Sequence, residues 1–308
     1  MIKRVIKLLL DSGAYSAFRQ GVSLNLSDYI AFIKRNEQYF DRYISFDTIP
    51  GTGGRRTLDS AQVERAAQQT YRDHQRMKDA GLTPIPVFHQ DDDFKWLARY
   101  LSDREPYIAL AAHGGHAHND IPWFDDCFAL IERPRVKIHC LGNTKSAVLR
   151  RFPFTSTDSS SWLQQAKVGR ILVPLYVDGR PDYSHPPMPV VVTKRSNLEP
   201  NYIDRLSSFK RQQAERYLDE EIGVELAEVS NRAEARWRTN AAYFKGLAAA
   251  NNTTLFFVTS KQRSMRQALL QSQATAHLLS YFDLRHRRSD TVIKDYVEGA
   301  TIELKELG

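Results

Sequence analysis

The chain has 308 residues, 42% of them hydrophobic and 26% charged, enough apolar content for one large domain with an appendage or for two domains. No apolar run approaches the roughly 20 residues that a membrane-spanning helix needs, so no membrane partner is expected. The formal charge of +7 favours polyanionic partners without naming one.

In chain order, the opening MIKRVIKLLLDSG is basic and then apolar, short, without a small-residue cleavage site, and it runs straight into a turn. It reads as a first β-strand, Val5–Leu10, rather than a signal peptide, and an intracellular, cytoplasmic protein is expected. Further strands are predicted at Tyr43–Asp47, Ile85–His89, Tyr107–Ala112, Val136–Leu141, Phe154–Thr157 and Ile171–Tyr176. Helical patterns lie between them at Leu26–Gln38, Ser60–Ala80, Phe94–Ser102, Pro122–Ile131 and Lys145–Arg151, with Ser27 and Asp59 or Ser60 as N-caps and Gly81 as a stop. Strands alternating with helices imply a parallel sheet covered by its crossovers. The number of units favours a TIM-type (β/α)8 barrel, with an open doubly wound sheet as the alternative.

The Pro-rich stretch Pro181–Pro189 breaks the rhythm and reads as a connection. Amphipathic helices are predicted over Pro200–Ile222 and Val224–Asn251, a buried strand at Thr253–Thr259, and helix again over Ser264–Phe282 and within Thr291–Leu307. The expected division is a (β/α) catalytic region over 1–180, a Pro-rich connection and helical insertion over 181–252, and a final strand with C-terminal helices over 253–308. Thr253–Thr259 would be the eighth barrel strand. Cys127 and Cys140 have no partners at metal-ligand spacing, so two reduced structural thiols are expected.

In parallel βα architectures, function gathers where strands end. Those ends read Asp11-Ser12-Gly13, Asp47, His89-Gln90, His113-Gly114-Gly115, Gly142-Asn143 and Asp158-Ser159. One acid at a strand end is usually a helix cap; acids or amides at most of these ends form a pattern.

With these residues in place, the sequence resembles the guanine-exchanging transglycosylases of the queuine tRNA-ribosyltransferase type. Asp11-Ser12-Gly13-Ala14-Tyr15 matches a strand ending in Asp-Ser-Gly-Gly-aromatic, and Phe46-Asp47 matches a Phe-Asp pair. Gln90 follows an apolar strand, Leu110–Gly114 matches a small-residue run, Leu141-Gly142 a Leu/Met-Gly segment, and Asp158 the later acid. Order and approximate spacing agree.

The resemblance implies roles that the residue chemistry supports. Asp158 would be the nucleophile at the anomeric carbon, forming a covalent glycosyl intermediate, and Asp11 would manage the proton of departing and incoming bases. Asp47 and Gln90 would read the edge of a guanine-like base, with Ser12, Gly142, His113 and the backbone near Leu110 and Ala111 close by. Tyr15 would stack on one face of the base and Leu141 would floor the other.

Three departures matter. The family's zinc site is absent, Ser159-Ser160-Ser161-Trp162 replaces the basic motif after the nucleophile, and Ser16 stands where the family has Gln. They direct the resemblance toward the divergent branch, phage-encoded among other sources, that puts 7-deazaguanine derivatives into DNA. The expected partners are therefore DNA ahead of tRNA and a 7-deazaguanine base such as preQ0, with no redox cofactor and no metal. A helicase or ATPase partner and the oligomeric state stay open.

Any polymer substrate must present an unstacked base, with phosphates held by basic residues near the strand ends. Arg19, Arg55, Arg56, Lys145, Arg150 and Arg151 are the candidates, with Arg285–Arg288 a later one. The Gly51–Arg56 loop lacks the lysine and spacing of a P-loop and reads as a flexible loop over the site. Two other functions stay open. The His113, His116 and His118 cluster would suit a metal-dependent hydrolase, and the basic charge would suit a non-catalytic nucleic-acid-binding protein.

Overall fold

The computed structural model describes residues 7–57, 59–113, 117–131, 136–194 and 197–257, together with the backbone of 258 and of 277–281. The fold is mixed α/β, built on one eight-stranded sheet. Its strands are β1 (Lys7–Asp11), β2 (Arg42–Tyr43), β3 (Val87–His89), β4 (Tyr107–Ala111), β5 (Lys137–Cys140), β6 (Ser156–Ser159), β7 (Thr254–Val258) and β8 (His277–Tyr281). They lie in the order β2-β1-β8-β7-β6-β5-β4-β3, and every pairing is parallel. A separate parallel bridge joins Ile44, just past β2, to Ile85, just before β3. It carries the bonds Ser45 N–H to Ile85 O (2.7 Å) and Ile85 N–H to Tyr43 O (2.9 Å).

Helices follow the strands: α1 (Ala14–Gln20) and α2 (Leu26–Asn36) after β1, then α3 (Ser60–Asp79), α4 (Phe94–Ser102), α5 (Ala117–Leu130), α6 (Ser146–Arg151) and α7 (Ser161–Lys167). After α7 come α8 (Ser208–Arg216), continued by a π-helical turn Tyr217–Ile222, then α9 (Leu226–Asn231) and α10 (Ala233–Ala250). Local chemistry explains their ends. Asn25, not Ser27, caps α2 by accepting from the N–H groups of Ser27 and Asp28. Asp59 caps α3, which stops before Gly81 at φ +82°.

Strand alternation divides the apolar residues between two clusters. Leu8, Leu10, Phe88, Ile108, Leu110, Ile138, Cys140, Leu255 and Phe257 join the large cluster beneath the helices. Leu9, Ile44, Ile85, Val87, Ala109 and Phe256 form a second, smaller cluster on the other face of the sheet.

The segment predicted as one more sheet strand, Ile171–Tyr176, takes a different place. Arg170–Val173 pairs antiparallel with Met188–Val191, and Leu175–Val177 pairs antiparallel with Arg180–Asp182, both outside the main sheet. Part of the Pro-rich connection is therefore strand, with Pro189 in a two-stranded ribbon where a missing N–H is tolerated. Buried Asn240 of α10 ties this ribbon down, accepting from Leu172 N–H (2.8 Å) and donating to Trp162 O and Arg170 O. Thr254–Val258 is consequently the seventh strand of the sheet, and the eighth is His277–Tyr281, inside a stretch predicted as helix. The expected Arg285–Arg288 contact and the helix within Thr291–Leu307 lie outside the described residues.

Candidate functional site

Because all eight strands run parallel, their C-terminal ends share one edge, and the acids expected there converge. Asp11 ends β1, and its carboxylate accepts from the backbone N–H groups of Ser12 and Gly13. Gly13 adopts the left-handed conformation (φ 78°, ψ 8°) that turns the chain into α1, which suits glycine. Burial, and then the neighbouring charges of Asp47 and Asp158, hold the Asp11 carboxyl well above the ordinary carboxylate range.

Asp158, on β6, is 4% exposed. Its Oδ1 accepts from Gly142 N–H at 2.6 Å and stands 3.2 Å from His139 Nε2. Asp47 is held at both ends. Ser12 Oγ–H donates to Oδ1 (2.6 Å) and His89 Nε2 lies 3.1 Å from Oδ2. Each carboxylate oxygen has a second lone pair, so these bonds orient Asp47 without exhausting it.

His89 also meets Asp92, its Nδ1 lying 3.4 Å from Asp92 Oδ2, which in turn accepts from His89 N–H. Burial alone pushes this imidazole down, but the hydrogen bonds to Asp47 and Asp92 outweigh it and raise its pKa to about 10. His89 is thus a buried cation between two carboxylates.

The ends of β3 and β4 carry a second network. Gln90 Oε1 accepts from His113 N–H (2.8 Å), and Gln90 N–H donates to Ala111 O (3.1 Å). The His113 ring lies 2.6 Å from Asp91 through Nε2 and 2.9 Å from the Arg56 guanidinium through Nδ1. A guanidinium only donates, so Nδ1 accepts and Nε2–H donates to Asp91. Arg56 also lies 3.4 Å from Asp91 Oδ2. The expected flexible loop is therefore a hairpin, Gly51–Thr52 paired with Arg55–Arg56, anchored at its far end. Gly51 (φ +116°) has no substitute there, because a Cβ would sit 2.1 Å from Arg55 O.

Several anticipated contacts are placed elsewhere. The Leu110 side chain is fully buried beneath the helices, on the face opposite the acids, because neighbouring residues of a strand point to opposite sides. Ala111 and Leu141 pack with the small cluster on the acid side. Lys145 is bonded to buried Asp120, which also accepts from Asn143. Arg150 donates to Ser184 O, and Arg151 forms a two-point ion pair with Asp125 at 2.9 Å. Both arginines occupy the last turn of α6, which leads away from the strand ends, so they do not join the acids. Arg19 and Arg55 are exposed, as is Tyr15, at 60%, in the first turn of α1.

Sequence reasoning passed over His89 and His139 as working parts. The detectable signal is a polar residue at an inward position of an otherwise apolar strand. His118 is exposed on α5 and His116 lies outside the described residues. Among the described residues no three His, Cys, Asp or Glu side chains are grouped to hold a metal ion. Cys127 and Cys140 are buried free thiols, each pushed up by burial. No helix among the described residues is long and apolar enough to cross a membrane. No family model matches the chain, and no curated protein matches its sequence.

Proposed function

We propose that this protein is a base-exchanging transglycosylase acting on nucleic acid, DNA ahead of tRNA, and that its eight strands close as a TIM-type (β/α)8 barrel with the Ile44–Ile85 bridge as the seam. The observation that carries the activity is the unequal pair of acids at the strand ends. Burial, with the charges of Asp47 and Asp158, holds the Asp11 carboxyl well above the ordinary range, while Asp158 accepts from Gly142 N–H. An acid raised in this way beside a second carboxyl group suits the division into acid and nucleophile that retaining glycosyl transfer requires.

In the forward step the C1′–N9 bond of a target guanosine breaks as an Asp158 oxygen bonds to C1′. The electron pair leaves with the base, which takes a proton from Asp11. In the second step an incoming base, a 7-deazaguanine by resemblance, gives its proton to Asp11. Its nitrogen attacks C1′, and the Asp158 ester breaks. Atoms and charge balance without a redox cofactor. Asp47, fixed by Ser12 and His89, accepts from the N–H edge of the base. Gln90 uses the amide end not turned to His113 N–H. Tyr15 supplies an aromatic face, and exposed Arg19 and Arg55 meet phosphates.

The test is exchange of labelled guanine or preQ0 into DNA and into tRNA, with denaturing gels to detect a protein–nucleic acid adduct. The reading expects exchange with one polymer and no adduct with Asp158→Asn. Wild-type exchange by Asp158→Asn, or no exchange into either polymer, overturns it. Nucleoside mass analysis of DNA and tRNA from cells carrying the gene with a deazaguanine supply identifies the polymer.

A further inference from the structure

Behind Asp158 a chain of polar groups runs through the side of the sheet that carries the small cluster. Tyr107 Oη lies 2.5 Å from Ser156 Oγ, Ser156 Oγ lies 2.6 Å from His139 Nδ1, and His139 Nε2 lies 3.2 Å from Asp158 Oδ1. The members come from neighbouring strands β4, β5 and β6, where Ala109 pairs with His139 and His139 with Ser156. His139 is 0% exposed and its ring meets Phe256 edge-on. The Nε2 contact with Asp158 is close but not aligned as a hydrogen bond, so Nε2 is a buried polar atom without an aligned partner. Such an atom is costly unless it serves something.

Of the two neutral tautomers of His139, one suits every contact. Burial raises the Tyr107 phenol, which keeps its O–H and donates to Ser156. Ser156 then donates its single proton to His139 Nδ1, which places the ring proton on Nε2, facing the carboxylate. The opposite tautomer would set a nitrogen lone pair against a carboxylate oxygen. Among the described residues, His139 from β5 faces Asp158, Asp11 from β1 feels its charge, and the Cys140 thiol feels it from the other face of the sheet.

We propose that His139 is the positioning residue of Asp158: the Tyr107–Ser156 chain fixes its Nε2–H tautomer, and that N–H, together with Gly142 N–H, holds Oδ1 so that Oδ2 attacks. The role in attack rests on the transglycosylase reading; the tautomer does not.

Two measurements keep these apart. In the full-length protein labelled with 15N-histidine, long-range proton–nitrogen spectra of His139, assigned by its loss in His139→Leu, should show the neutral Nε2–H form. The Nδ1–H form or a doubly protonated ring overturns the proposal. In single turnover on guanine-containing DNA, His139→Leu should slow adduct formation about tenfold to a hundredfold, the worth of a donor to a charged acceptor, with DNA affinity unchanged. His139→Gln, which restores an N–H near that point, should recover most of the loss. Equal rates for wild type and His139→Leu overturn the positioning role. Absence of any adduct with wild type sinks the transglycosylase reading, and the spectrum still decides the tautomer.

Discussion

His89 and Asp47 form a buried ion pair, Nε2 to Oδ2 at 3.1 Å, and Asp92 on the far side of the ring makes the imidazole a cation across the neutral range. The pair arises because a strand end and a loop past a two-residue strand meet at the same edge of the sheet. It fixes the carboxylate proposed to read the base.

The ion pair has a pH signature. A histidine raised from 6.5 in the unfolded chain to about 10 in the folded one binds its proton more tightly when folded. Its contribution, on the order of a few kcal/mol, is fully present below about pH 6.5, declines as pH rises, and is gone above about pH 10. Urea unfolding at pH 6 and pH 9 checks this. His89→Gln should lose more stability at pH 6 than at pH 9, and an equal loss at both would remove the cation from the account.

Asp11 shares that pH slope but acts as a cost. Its folded carboxyl is raised above the unfolded value, so folding is penalised once pH exceeds the ordinary carboxylate range. Asp11→Asn keeps the shape and removes the penalty. The variant should unfold at a higher urea concentration than wild type at pH 7 while base exchange falls at least about a hundredfold, as for loss of a general acid. A destabilised Asp11→Asn protein would contradict the assignment.

Ser12 tests how Asp47 is aimed. Ser12→Ala removes a buried 2.6 Å donor and should cost about 1–3 kcal/mol of stability. In exchange assays it should raise KM for the incoming base by a larger factor than it lowers kcat. Asp47→Ala should go further in base selection while the salt dependence of nucleic-acid binding stays as in wild type.

The arginines separate into two groups. Arg56 is committed to Asp91 and His113, whereas Arg19 and Arg55 are exposed. Arg55→Ala and Arg19→Ala should each reduce the slope of log binding constant against log salt by about 1, and Arg56→Ala should leave it unchanged while lowering stability. A reduced slope for Arg56→Ala would show that its internal pairs open on binding.

Much of the frame was legible in the sequence because strand and helix periodicities are local properties. Seven of the sheet strands, β1 to β7, and helices α2 to α6 follow from apolar spacing and caps, and the positions of Asp11, Asp47, Gln90 and Asp158 at or past strand ends follow from them. The Ile171–Tyr176 run reads as a sheet strand but pairs outside the main sheet, because an apolar run reports burial, not the partner it pairs with. His277–Tyr281 was read as helix although its backbone pairs with β1.

What only the tertiary structure decided is which groups face one another. Asp158 meets His139, Asp47 meets Ser12 and His89, and Lys145 and Arg56 pair with Asp120 and Asp91. These are contacts between residues far apart in the chain, and a proton's position depends on them. Residue order places an acid at a strand end; only the neighbours that folding delivers determine whether it is held protonated, paired or ready to attack.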